Sequence, residues 1–323
     1  MIRLARRPLL LAAILAAPKV ARAQSYPARP VRVIVPFPPG NSTDIVARFI
    51  ADGLSRSWQQ RLVVDNRSGG AGAVGMDAGA HAPGDGYTLV VGSSGTLAVN
   101  PAIIPNLSYD VLRDFAPISN LATMPLLLLA RPDFPANTLP ELQVLARQRP
   151  GELGYGSPGP GTAGHLAGEY LAHRAGIRMQ HVPYRGTGPA LADLLGGTLP
   201  LVSDSLASAL PHVQEGRLKA LVITGRNRAP QLPNVPTAAE TLGKFEAVGW
   251  IGMVAPAATP GPLVTQINAE VVRILRDPAS SQRLESLGGS PDPRTPAEFA
   301  TFIRSETEKW REVARIANVK LDG

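Results

Sequence analysis

The sequence predicts an α/β fold with mostly parallel sheets, arranged in two lobes. Three observations predict it. Short apolar runs of strand length alternate with segments of helical period. The early runs are continuously apolar, as strands buried on both faces must be. The alternation then begins afresh near residue 153, and the chain of 323 residues has room for about two domains.

Residues 31–36 (VRVIVP) form the first strand, stopped by Pro38, Pro39 and Gly40. Asn41, Ser42 and Thr43 are candidate N-caps, with Asp44 in the first turn of a helix whose apolar face is Ile45, Val46, Phe49, Ile50 and Leu54. Residues 62–64 and 87–92 are the next strands, the latter ending in Ser93, Ser94 and Gly95. Residues 126–130 close the first set. The second set runs from a strand at 153–155 through a glycine-rich turn (156–164) into a helix at 165–175. A strand at 181–184, a helix at 189–195, a strand at 199–203, a helix near 205–215 and a strand at 218–224 follow. Residues 250–255 (WIGMVA) are the last strand, and helices at 262–277 and 296–317 end the chain. Trp58, Trp250 and Trp310 stand in apolar contexts and read as core.

The chain has no cysteine, which excludes disulfide scaffolds, thiol nucleophiles, Fe–S clusters and lipid-anchored cysteines. Gly and Pro contribute 32 residues each, loop-rich but short of disorder at 44% apolar content. The formal charge of +7 is concentrated at the start. Five of the 32 basic residues (Arg3, Arg6, Arg7, Lys19, Arg22) and none of the 25 acidic ones lie in residues 1–23, so the remainder carries +2. A nucleic-acid partner thereby loses its support. A basic start, an apolar run at 9–17 and small residues at Ala21 and Ala23 read as a cleaved signal peptide spanning 1–23, too short for a membrane span. Arg6–Arg7 keeps a twin-arginine route open beside the general one. The expected location is the periplasm.

The distinctive chemistry is a pair of Gly/Pro/Ser-rich turns that each open a helix: 36–43 (PFPPGNST) and 157–162 (SPGPGT). Glycine admits a close backbone approach, and a helix N-terminus presents unpaired N–H groups with partial positive charge. One turn per lobe would clamp a small anion. The competing reading is ordinary capped loops. G-x-G-x-x-G occurs at 70–75 and 159–164, but the strand after Gly75 ends in Ser93 and Ser94 without the acid that a dinucleotide site requires. His165, Glu169 and His173 share a helical face and, with Asp204, could hold a metal; the plainer reading has His165 lining a site and the other two on a solvated face. Neither Ser94 nor Ser157 completes G-x-S-x-G, and Pro158 removes an oxyanion-hole donor, so a hydrolase is disfavoured. The expectation is a non-enzyme without metal or cofactor.

The chain resembles the extracytoplasmic receptors of tripartite tricarboxylate transporters, the Bug-type receptors. The likeness rests on PFPPGNSTDIVAR (36–48), VVDNRSGGAGAVG (63–75), GSSGTLAVNP (92–101), YDVLRDFAPIS (109–119), GTAGHLAGE (161–169), VPYRGTGPALADLLGG (182–197), SALPHVQEGRLKALVITG (208–225) and EKWREVARIANV (308–319). It implies a type II periplasmic-binding fold: lobe one at 24–124 and 225–323, lobe two at 125–224, and a hinge near 122–127 and 224–225. It implies a monomer that closes on a small carboxylate and delivers it to integral-membrane permease subunits, or, alternatively, reports it to a sensor kinase. The implied ligand residues are Phe37, Gly40, Asn41, Ser42, Thr43, Ser93 and Ser94 in lobe one. Lobe two supplies Ser157, Gly161, Thr162, His165, Tyr184, Arg185 and Asp204. Three departures bear on the ligand. Asn41 stands where the family has glycine, adding a pocket amide or demanding a left-handed backbone. Arg185 replaces a usual Lys; its planar fork would pair with a distal carboxylate or else simply with Asp193 or Asp204. The stretch 198–204 (TLPLVSD) puts Ser203 where an aromatic is usual.

Overall fold

The computed structural model describes residues 26–316 and Val319; the signal peptide expected at 1–23 and the end of the last helix lie outside them. The elements in chain order are β1 (Val31–Val35), α1 (Ser42–Trp58), β2 (Leu62–Asn66), α2 (Ala73–Ala80), β3 (Thr88–Ser93), α3 (Asn100–Ile103), α4 (Val111–Asp114) and β4 (Phe115–Ala130). Then come α5 (Leu139–Gln148), β5 (Gly154–Ser157), α6 (Ala163–Ala175), β6 (Gln180–Pro183), α7 (Thr187–Gly196), β7 (Leu201–Ser205), α8 (Leu206–Gln214) and β8 (Lys219–Ile223). The chain closes with α9 (Ala238–Leu242), β9 (Val248–Pro256), α10 (Gly261–Arg276), α11 (Pro278–Ser286), β10 (Ser290–Pro291) and α12 (Pro296–Ile316).

The first apolar run, β1, does lie in a parallel ladder, but the runs at 126–130 and 250–255 pair antiparallel, so the sheets are mixed rather than mostly parallel as expected. β1 lies between β2 and β3, parallel to both. β5 lies between β6 and β7, again parallel. Every antiparallel pairing involves β4 or β9. β4 belongs to both sheets: Phe115 to Pro125 pair with β9, and Leu126 to Ala130 pair with β7 and β8. The sequence showed only its second half, because Pro117, Ser119, Asn120, Thr123 and Pro125 interrupt the apolar run. The structure absorbs them with register shifts opposite β9.

The chain returns beside this crossing. Thr224 N–H donates to the Leu126 carbonyl (2.9 Å), and its hydroxyl lies 2.6 Å from the Ala247 carbonyl, so outgoing and returning strands are stitched at one residue. α12 packs on β4, on α6 and on the 95–99 turn, bridging elements of both sheets. Its anchor is Glu306, 8% exposed, whose Oε2 accepts the indole N–H of both Trp250 (2.8 Å) and Trp310 (3.1 Å). Trp250 and Trp310 are core as expected, while Trp58 is half-buried against Tyr26. No helix among the described residues is long and apolar enough to cross a membrane.

Glu306→Ala leaves two buried indole donors unpaired and should cost about 2–4 kcal/mol, read from the urea-unfolding midpoint. Glu308→Ala, two residues on and on the exposed face, should stay within about 0.5 kcal/mol.

Candidate functional site

Both parallel ladders end in the turns that the sequence singled out. Open α/β sheets bind ligands outside the carboxyl ends of their strands. β1 ends at Val35, and Gly40, with φ +85°, turns the chain into α1. Asn41 is the N-cap: its Oδ1 accepts the Asp44 N–H (2.9 Å) and its carbonyl accepts the Ile45 N–H (3.0 Å). Its φ of −80° is extended, so the left-handed backbone considered for it is not adopted; Gly40 carries that conformation. The hydrogen bonds of the described residues leave the Ser42 and Thr43 N–H groups without a protein partner.

A buried brace holds this turn. Asp44 accepts from Gly40 N–H (3.0 Å), Arg48 Nε (2.9 Å) and Asn66 Nδ2 (2.9 Å), and Asn66 Nδ2 also reaches the Phe37 carbonyl (3.0 Å). Burial pushes the Asp44 carboxyl up, but hydrogen bonds from Arg48, Gly40 and Asn66 outweigh it and hold it below the usual range. Phe37 is buried and packs toward Gly72. The glycines at 70–75 serve packing: a Cβ on Gly75 would fall 2.7 Å from Pro36 Cα.

The second turn repeats the scheme. α6 begins at Ala163, two residues earlier than expected, with Thr162 as N-cap. Thr162 Oγ1 accepts the His165 N–H (3.3 Å), and its carbonyl accepts the Leu166 N–H (3.2 Å). Gly161 N–H is spent on His165 Nδ1 (3.3 Å). Ala163 and Gly164 are then the residues whose N–H groups have no protein partner, which the later helix start had hidden. Below the turn, fully buried Ser157 Oγ lies 2.7 Å from His181 Nε2, and His181 stacks on His165 with ring centroids 3.9 Å apart. The sequence reading missed His181, whose partners lie 16 and 24 residues away.

Each turn packs against an element of the other sheet. A Cβ on Gly95 would lie 3.2 Å from the Gly161 carbonyl oxygen, and one on Gly186 would lie 3.2 Å from Pro38. Ser93 is half-buried, with its N–H on Thr96 Oγ1 (3.1 Å); buried Ser94 accepts the Trp250 N–H (3.4 Å). Tyr184 donates to Asp193 (2.7 Å). Arg185 is exposed and, like Asp204, joins no salt bridge among the described residues. Asp204 is buried on β7. Glu169 departs from the solvated face expected for it and accepts the Tyr155 hydroxyl (2.6 Å), whereas His173 is exposed. No group of three His, Asp or Glu side chains among the described residues is arranged to hold a metal ion.

A separate cavity of about 770 Å³ lies at the hinge, lined by Pro125, Gly225, Arg226, Trp250, Glu306 and Lys309. Its cations are already paired: Arg226 with Glu246 (3.0 Å), Arg228 with Glu240 (2.6 Å), Arg294 with Asp292 (2.9 Å) and Lys309 with Glu306 (3.2 Å). The two helix starts, with their unpaired N–H groups, are the better candidate for holding an anion.

A family model described as "Tripartite tricarboxylate transporter family receptor" matches residues 46–319. Protein BugT of Bordetella pertussis is 37% identical over 302 residues, covering 93% of this chain and 92% of its own. Among solved structures, an R. palustris protein with adipate superposes with TM-score 0.88 at 35% identity, covering 91% of this chain and 98% of its own. MatC from Rhodopseudomonas palustris with bound malate gives 0.82 at 35%, covering 89% and 99%. The architecture is that of the two-lobed periplasmic binding proteins.

Burial, with His181 alongside, drives the His165 ring down to about 3, and burial drives His181 down to about 4. The unfolded chain protonates both near pH 6.5. Their contribution to stability is therefore full above about pH 6.5 and declines as the pH falls toward 4. Burial raises the Asp204 carboxyl to about 6 and also raises Glu169, and both work in the opposite sense. Urea titrations at several pH values isolate the ring: the loss of stability between pH 7 and pH 4.5 should be smaller for His181→Gln than for the parent chain.

Proposed function

The chain belongs to the tripartite tricarboxylate transporter receptor family, and on that premise we propose that it is an exported receptor holding one small carboxylate between two lobes for hand-over to membrane permease subunits. One observation carries the reading. Two helices, one beginning after β1 and one after β5, each leave two N–H groups unpaired, and each of their turns packs against an element of the other sheet, Pro38 against Gly186 and Gly161 against Gly95. The R. palustris relatives with adipate and with malate bind ligands of the same class.

In this reading residues 1–23 are a cleaved leader, 24–124 with 225–323 form one lobe and 125–224 the other. The partner change within β4 at Pro125–Leu126 and the stitch at Thr224 support that division. Ser42, Thr43, Ala163 and Gly164 supply N–H donors; Gly40, Asn41, Gly161 and Thr162 shape the turns; Ser93, Ser94, Ser157, His165, Tyr184 and Asp204 border the cleft. Arg185, being exposed, contributes at the rim. The receptor acts as a monomer and catalyses nothing. Ligand touches both lobes only when they close, so it favours the closed state.

Thermal-shift screening of the chain from Gln24 onward against mono- and dicarboxylates, amino acids and aromatic acids should find stabilisation without metal or nucleotide. A folded protein that responds to none of them would overturn the reading. Ser42→Pro makes a sharper test. Proline is tolerated at the first helical position, so the fold should persist while one donor is lost. The expected loss is about tenfold in affinity by calorimetry, the scale of one charge-assisted hydrogen bond. Arg273→Ala, at a remote exposed ion pair with Glu270, should leave affinity unchanged.

A further inference from the structure

The environment of Asp204 leaves one of its oxygens unexplained. The residue stands at the carboxyl end of the second parallel ladder and is 4% exposed. Oδ1 accepts the Ser205 N–H at 2.7 Å. Oδ2 is enclosed and accepts no hydrogen bond of good geometry among the described residues, although the Thr187 and Ser205 side chains stand beside the carboxylate. A buried carboxylate oxygen without a donor is expensive, and native structures rarely keep one without a use.

Its position ties it to the cleft. Thr187 opens α7, whose N-cap Gly186 has no side chain to offer and lies against Pro38 of the opposite turn. The other neighbour is α6: a Cβ on Gly164, one of its unpaired amides, would lie 2.5 Å from the Ser203 carbonyl oxygen, so Asp204 sits between the starts of α6 and α7. The turns at 36–43 and 157–165 contain no Lys or Arg, and Arg185 is exposed. A dianion entering there would set its second charge against Asp204 with no cation between them. An ammonium would instead supply a donor to Oδ2 and cancel its charge.

We propose, on the receptor reading above, that Asp204 Oδ2 accepts a hydrogen bond from an ammonium group of the ligand, so that the preferred class is an amino-bearing carboxylate rather than a plain mono- or dicarboxylate. The unpaired N–H groups of α1 and α6 take the carboxylate end, and Asp204 takes the amino end. Although burial raises its carboxyl to about 6, Asp204 stays mostly ionised at neutral pH and so keeps its acceptor. A rival role is structural: the carboxylate would serve only to complement the uncapped start of α7.

Calorimetry at pH 7.5 on the chain from Gln24 onward decides between them. The probes are triplets that differ at one carbon: succinate, malate and aspartate; glutarate, 2-hydroxyglutarate and glutamate; propionate, lactate and alanine. In whichever triplet binds, the amino member should bind at least about tenfold tighter than the plain acid, with the hydroxy acid between. Asp204→Asn should weaken the amino member by about tenfold or more and leave the plain acid unchanged or tighter. A plain acid that binds the parent chain as tightly as its amino partner overturns the proposal, and that ratio needs no variant to fold. Equal losses for both members in Asp204→Asn overturn it in favour of the structural role. Binding of plain acids without amino preference leaves the receptor reading standing; absence of binding by every probe to a folded protein removes both.

Discussion

The first two amides of an α-helix have nothing in their own helix to bond to, and this protein twice leaves that deficit open at the end of a buried strand. In α1 and α6 the N-cap side chain and carbonyl satisfy the third and fourth amides. The first two remain, each carrying part of the positive end of a helix dipole. Gly40, Gly159 and Gly161, all with positive φ, make the sharp passage from strand to helix that directs these amides outward from the sheet. If the turns were longer, the amides would lose their common focus; if the glycines had side chains, the backbone could not take these conformations without strain.

Two facing cradles are of use only if their separation is controlled, and here that control is concentrated in β4. One strand serves two sheets, exchanging β9 for β7 and β8 as partners between Pro125 and Leu126. Proline at that point has no N–H to give to either ladder. Thr224 then binds the outgoing chain at Leu126 and the returning chain at Ala247. A rotation between the lobes therefore passes through few backbone bonds. α12, fixed to β9 by the Trp250 indole on Glu306, packs on α6 across the same crossing.

How much of this was legible in the sequence follows from how local each cause is. β1, β3 and the cap of α1 were readable because their determinants lie within a few residues: unbroken apolar runs, then Asn41 three residues before Asp44. The first half of β4 was not. Its polar residues find their partners far along the chain, Asn120 Nδ2 at Asp292 (2.8 Å) and the Ser119 hydroxyl at the Arg294 carbonyl (2.9 Å), and neither partner can be guessed from spacing. α11, with Leu284 as its only buried residue, has too narrow an apolar stripe to announce a helix. The start of α6 was placed late because a glycine beside an alanine is a weak helix signal. That small displacement shifted attention from the amides of Ala163 and Gly164 to those of Gly161 and Thr162. The brace from Asp44 to Asn66 and the stack of His165 on His181 likewise join residues 22 and 16 positions apart.

Unpaired amides and left-handed glycines are liabilities, and the surrounding structure is built to hold them in place. Asp44 clamps one turn through Gly40 and Asn66, with Arg48 cancelling its charge. Ser157, His181 and His165 support the other with rings that burial keeps neutral. Neither support places a free cation beside the anion. An arginine would grip a carboxylate harder, but its own desolvation would oppose closure, and the empty cleft would hold an unmatched charge. Backbone dipoles avoid both costs, because the amides are neutral and already fixed by the helices that carry them. In the receptor reading, a site of this kind trades maximal affinity for a grip that opens when the lobes part.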